Sequence, residues 1–153
     1  MLRVGDFVPE FTLIDVHGME RTLDELLATD PIVLAFFKVS CPTCQLTLPF
    51  LERFYSQRQL VYGVSQDDAR ATIAFSERYR LTLPVLLDES KRGFPVSNAF
   101  GITNVPSLFQ VEKDHRISWA SAGFVKADLE QLAHMHHAGI FHPEDDVPAV
   151  RHG

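Results

Sequence analysis

Cysteine is scarce in this sequence: two residues in 153. A pair cannot staple a small scaffold of the disulfide-rich kind, so the fold must rest on an ordinary core. Long apolar runs are missing as well. The longest is Ile32 to Phe37, six residues, whereas a membrane-spanning helix needs about 20. Met1-Leu2-Arg3 leads directly into Val4-Gly5-Asp6 with no apolar signal segment. The expectation is a cytoplasmic protein without a membrane anchor, or a periplasmic one if a leader has been removed. Concentrated positive charge is absent too. Asp and Glu outnumber Lys and Arg by 20 to 14, leaving a net charge of −6, and no basic cluster exceeds two residues. A phosphate-binding surface needs more than that, so nucleic acid is not an expected partner.

What remains is average for a globular chain: 46% hydrophobic and 22% charged residues. No repeat, linker or low-complexity segment divides it. The length fits one domain, expected over 1–138, with a C-terminal tail over 139–153.

Along the chain, Phe11–Ile14 reads as a short extended piece, followed by a turn at Val16–Met19. Thr22 is placed to cap a short helix over Leu23–Leu27. Ile32–Phe37, β-branched and aromatic, suits a central strand buried on both faces. A helix follows from Pro42, with Leu46, Phe50, Leu51 and Phe54 near helical spacing and a kink expected at Pro49. Leu60–Val64 is a second strand. Ser65 or Asp67 is expected to cap a helix over Asp68–Arg80. Pro84–Asp88 is a strand, and a helix containing Gly93 and Pro95 runs to Gly101. Ser107–Val111 and Arg116–Ser121 form a hairpin around Glu112–His115. A last helix covers Lys126–His137, with Gly139 as its cap. Strands joined by helices imply an α/β fold with parallel pairing, helices on both faces and an antiparallel edge from the hairpin.

The two cysteines stand three apart, as Cys41-Pro42-Thr43-Cys44. A disulfide there closes too short a loop to restrain the unfolded chain appreciably. Chemistry is the better explanation. Cys41 falls at a helix N-terminus, where free N–H groups and the helix dipole favour a thiolate. Cys44 falls one turn inside. Cys41 is therefore the expected attacking thiol and Cys44 the resolving one. Two bland readings stand beside this: half of a zinc site, or two buried apolar cysteines. Zinc needs further ligands, and no third cysteine exists.

Three stretches resemble a known group. Residues 3–14, Arg-Val-Gly-Asp-Phe-Val-Pro-Glu-Phe-Thr-Leu-Ile, look like the opening common to peroxiredoxins and TlpA/ResA-like thiol–disulfide oxidoreductases. Phe36 to Cys44, with Pro49 five residues on, is similar to their active-site strand and helix. Asn104-Val105-Pro106-Ser107 resembles the cis-proline loop of the thioredoxin fold. The order and spacing hold over about residues 3–135. The resemblance implies a thioredoxin-like fold with an N-terminal extension and a central strand–helix insertion. It implies a cis Pro106 facing the cysteines, with Pro42, Thr43, Val105 and Pro106 supporting the site or docking substrate. It implies dithiol–disulfide exchange on protein or small-molecule disulfides, an unidentified thiol electron donor, and no cofactor or metal.

Departures from the pattern are specific. Ala35 stands where thioredoxin has a buried Asp, Thr47 where TlpA/ResA-like proteins often have Glu, and Ser40 where Trp is usual. None of them supplies a proton acceptor for Cys44. Cys41-Pro42-Thr43 also matches the surroundings of a peroxidatic cysteine, so a peroxiredoxin-type peroxidase is the alternative. Lys38, however, occupies the position of the peroxide-binding Thr in that group, and the sequence does not place Arg92 or Arg116 near the thiol. A copper- or zinc-binding module of the same fold is a third class. Five of the seven histidines lie within residues 134–153; the expectation there is a solvated helix end and a loose tail.

Overall fold

The computed structural model describes all of residues 1–153. The core strand β3 is Ile32–Phe37, with all six residues buried. Alternation along it divides the interior in two. Val33, Ala35 and Phe37 face one apolar cluster, and Ile32, Leu34 and Phe36 face another.

The first cluster is covered by α2 (Pro42–Gln57) through Cys44, Leu48, Leu51 and Phe54. It also takes Phe75 of α3 (Ala69–Arg78) and Leu129 and Leu132 of α5 (Lys126–Met135). The second is covered by Leu23 and Leu26 of α1 (Leu23–Leu26) and Val96 of α4 (Pro95–Ala99), with Phe100 beside it. Phe36, Phe100 and Phe109 pack there with ring centroids 4.8–5.8 Å apart.

The remaining strands are β1 (Thr12–Asp15), β2 (Glu20–Thr22), β4 (Val61–Ser65), β5 (Val85–Leu87), β6 (Ser107–Val111) and β7 (Ile117–Ala122). The sheet runs β2-β1-β5-β4-β3-β6-β7. Its centre is parallel, β3 with β4 and β4 with β5, and both sides are antiparallel. This is a mixed α/β sheet with helices on both faces. A separate two-stranded pairing joins β8 (Phe124–Val125) and β9 (Val150–Arg151). No helix is long and apolar enough to cross a membrane.

Local chemistry explains most boundaries. Thr22 caps α1 by accepting the Glu25 N–H. Asp68, rather than Ser65 or Asp67, caps α3 by accepting the Ala71 N–H. Ser65 is instead buried at the end of β4, bonded to the Thr72 hydroxyl at 2.7 Å.

The helix expected through Gly93 is broken. A 3-10 turn at Ser90–Arg92 ends on Gly93 and Phe94, both at positive φ, and Pro95 starts α4 afresh. The last helix ends at His136, with His137 in the left-handed region, so Gly139 is not its cap. The expectation of a loose tail also fails: Ile140 is buried, and Arg53 pairs with Asp145 at 2.7 Å.

Candidate active site

β3 delivers the chain to the edge of the core, and α2 begins where it ends. Cys41 is the N-cap of α2, extended at φ −83° and ψ 115°, with Pro42 in the first turn. Its Sγ accepts the Cys44 N–H at 3.1 Å. Cys41 is partly exposed; Cys44 is fully buried, and both are free.

Burial pushes the Cys44 thiol far above its ordinary range. The hydrogen bond with Cys41 raises it further, a backbone bond from Lys38 opposes this, and the charges of Cys41 and Asp67 add smaller upward pushes. The pair is therefore asymmetric: one sulfur at the surface on a helix N-terminus, the other shielded and held as a thiol.

The Val105–Pro106 peptide bond is cis. The Val105 carbonyl accepts from Cys41 Sγ at 3.5 Å, so this loop lies directly against the attacking sulfur. Thr43 is buried, and its hydroxyl donates to the His152 carbonyl at 2.8 Å. Pro42 is exposed at the start of the helix, and Pro106 is buried beneath the loop. The structure thus gathers Cys41, Cys44, Thr43 and Val105 at one end of the sheet.

It leaves the other candidates elsewhere. Arg116 pairs with Asp114 at 3.9 Å, and Arg92 faces a cleft with Ile14 and Gly18. The Thr47 hydroxyl donates to the Thr43 carbonyl and is spent on the helix. Ala35 is buried between Gly63 and Leu108. His136 bonds Gln110 at 2.7 Å and rests edge-on against Phe54. The cysteines gather no third metal-ligating side chain; the His–carboxylate cluster present is Glu10, Asp24 and His115.

One residue was missed from the sequence. Asp67 follows β4, receives the Val39 N–H at 2.8 Å on its carboxylate, and its own N–H donates to Ser65 Oγ at 3.1 Å. It is the carboxylate whose charge acts on Cys44. No motif marks it, because it reaches the cysteines through parallel pairing of β3 and β4 and lies 23 positions beyond Cys44 in the chain.

Comparison with known proteins agrees with this geometry. The AhpC/TSA family profile matches residues 4–120. The thiol-disulfide oxidoreductase ResA of Geobacillus thermodenitrificans is 26% identical over 134 residues, 84% of this chain and 75% of that protein. The thioredoxin domain of a thiol-disulfide oxidoreductase from Bacteroides vulgatus superposes with a TM-score of 0.77 at 20% identity. The superposition covers 89% of this chain and 99% of that one. Peroxidoxin BcpB of Mycobacterium tuberculosis superposes at 0.69 with 24% identity, over 80% of this chain and 87% of that one. The fold is thioredoxin-like, and the family match runs from before β1 into β7 and takes in the cysteine-bearing helix, while α5 lies beyond it.

Proposed function

The chain belongs to the AhpC/TSA family, and from that premise we infer a thiol–disulfide oxidoreductase in which Cys41 attacks and Cys44 resolves. The observation that carries the reading is the contrast between two sulfurs one helical turn apart: Cys41 partly exposed and hydrogen-bonded from backbone N–H, Cys44 fully buried.

The Cys41 thiolate attacks one sulfur of a substrate disulfide. That S–S bond breaks, the substrate thiolate leaves and takes a proton, and a mixed disulfide forms. Cys44 then loses its proton and attacks the Cys41 sulfur. The second substrate thiol leaves, and the Cys41–Cys44 disulfide closes. The substrate has gained two electrons and two protons, and the protein dithiol has lost them. A thiol donor returns the pair to its starting state by the reverse sequence.

The Val105 carbonyl, which accepts from Cys41 Sγ, and the Thr43 hydroxyl, on the same turn as the cysteines, are our candidates for substrate contact. Asp67 is placed to tune Cys44 by its charge. The substrates in this reading are protein or small-molecule disulfides, and the compartment is the cytoplasm, where such a pair is kept reduced, with the periplasm as the alternative. The redox state of the pair trapped in intact cells checks the compartment.

Peroxide reduction by Cys41 alone is the competing reading, supported by the likeness to a peroxidoxin. Against it, Cys41 Sγ bonds the Cys44 N–H and the Val105 carbonyl, and the arginines singled out from the sequence lie elsewhere. The deciding experiment is turnover of a polypeptide disulfide with a dithiol as donor. Wild-type protein turns over, and Cys41→Ser and Cys44→Ser each abolish turnover. Full turnover by Cys44→Ser overturns the reading.

A further inference from the structure

Residues 139–153 fold back over the start of α2 and end beside Cys41. Ile140 is buried in the same apolar cluster as Cys44. The Phe141 ring packs on Phe50 at 4.8 Å. The Arg53 guanidinium grips the Asp145 carboxylate with two bonds, of 2.7 and 3.2 Å. The Lys126 N–H then donates to the Ala149 carbonyl, and β9 lies antiparallel on β8, with Val150 opposite Val125 and Arg151 opposite Phe124.

Beyond β9 the segment reaches the active site itself. The Thr43 hydroxyl, on the cysteine-bearing turn, donates to the His152 carbonyl. Gly153 lies against the Val105–Pro106 peptide so closely that a Cβ at 153 would fall 1.8 Å from the Val105 carbonyl oxygen. That oxygen is the one that accepts from Cys41 Sγ. Gly123, at φ +73°, makes room on the other side: a Cβ there would sit 2.7 Å from the Arg151 carbonyl.

The contrast within the segment is informative. Residues 140–145 are anchored by burial and an ion pair, whereas residues 150–153 are all exposed and held by hydrogen bonds and close backbone approach. A strand held that way uses nothing specific to its own side chains. Any extended polypeptide can offer the same backbone to the same edge.

We propose that residues 150–153 are a tethered occupant of the strip formed by the β8 edge, the Thr43 hydroxyl and the Val105 carbonyl, and hold an extended polypeptide carrying the target disulfide off Cys41. This rests on the exchange reading of Cys41 and Cys44. A polypeptide disulfide reaches Cys41 only after displacing residues 150–153. A small disulfide needs no strand pairing and reaches the partly exposed sulfur with the segment in place. The segment thus sets a threshold that favours small disulfides until a polypeptide competes for the strip.

The test compares three proteins: the full chain, a chain ending at Ala149, and Gly153→Ala, whose added methyl forces the segment off Val105. None of the four removed residues belongs to either core cluster. The readout is the rate at which each reduced protein is oxidised by insulin and by hydroxyethyl disulfide. Removal of 150–153 raises the insulin rate about tenfold or more, as expected when the open fraction of a site limits binding. It leaves the hydroxyethyl disulfide rate within about twofold. Gly153→Ala moves in the same direction. A peptide of residues 147–153, added to the shortened chain, lowers the insulin rate again. An unchanged insulin rate, or equal changes with both disulfides, overturns the proposal.

Amide exchange at Phe124, which pairs with Arg151 across the β8–β9 ladder, separates this outcome from failure of the exchange reading itself. If no form exchanges any disulfide, that reading falls. The occupant is still supported if the Phe124 amide is protected in the full chain and exposed in the shortened one. It is refuted if the full chain shows no protection.

Discussion

The backbone N–H of Cys44 points at the sulfur of Cys41 from 3.1 Å, so the resolving cysteine supports the attacking one before any disulfide exists. The same turn buries the Cys44 sulfur completely. A single helical turn therefore gives two thiols opposite environments.

The first prediction concerns that asymmetry. Iodoacetamide at neutral pH should label Cys41 and leave Cys44 at least about a hundredfold slower, since exposure and thiolate availability both favour Cys41. Peptide mapping after partial labelling checks it. Cys44→Ser should accumulate a mixed disulfide with substrate on Cys41, visible as an added mass that a reductant removes. Preferential labelling of Cys44 reverses the roles.

Asp67 gives a second prediction, with a sign. Its charge helps hold Cys44 protonated. Asp67→Asn removes the charge, and the Asn carbonyl oxygen can still accept the Val39 N–H. Cys44 should then ionise at lower pH, and release of the mixed disulfide at neutral pH should quicken modestly, because the Asp67 charge is the smallest of the influences on Cys44. Single-turnover release followed from pH 6 to 10 reads it. A slower release would make Asp67 a proton acceptor instead.

Much of this site was legible because its signals are local. Ile32–Phe37 matched β3 and Ser107–Val111 matched β6 residue for residue, since both are short apolar runs bounded by turns. Cys41 at the start of α2 followed from Pro42 and the strand before it. What escaped the sequence depends on distant partners. β9 is two exposed residues whose strand character exists only through β8, some 25 positions earlier. Asp67 acts across neighbouring strands. The break at Gly93-Phe94 needed a non-glycine residue at φ +50°, which no propensity scale anticipates.

The peroxidase alternative yields a third prediction. In Cys44→Ser, the rate of Cys41 oxidation by hydrogen peroxide should resemble that of a small thiol of matched acidity, stopping at the sulfenic acid. An excess of about a thousandfold, some 4 kcal/mol of transition-state stabilisation, would signal a dedicated peroxide pocket.

The last prediction lies at the far end of the sheet from the cysteines. His115, in the β6–β7 turn, bonds Asp24 at 2.7 Å and the Val8 carbonyl at 3.1 Å. Burial works to lower its pKa, but the bonds to Asp24 and Val8 and the charges of Asp24 and Glu10 outweigh it, and the imidazole titrates above its ordinary value. Asp24 moves the opposite way, drawn below the usual carboxylate range by its bonds with His115 and Glu10. The raised histidine contributes stability that is complete below its unfolded value, about 6.5, and lost as pH rises through its folded value. The lowered aspartate contributes above its unfolded value, about 3.9, and that contribution is lost as pH falls through its folded value. The two conditions overlap between about pH 4 and 6.5. Asp24→Asn should therefore lower the melting temperature most within that window and progressively less on either side. It should also bring the His115 titration, followed by NMR, down toward that of a free imidazole. A deficit in melting temperature that is flat from pH 4 to 9 would mean that Asp24 acts through helix α1 alone and that the His115 pair contributes nothing.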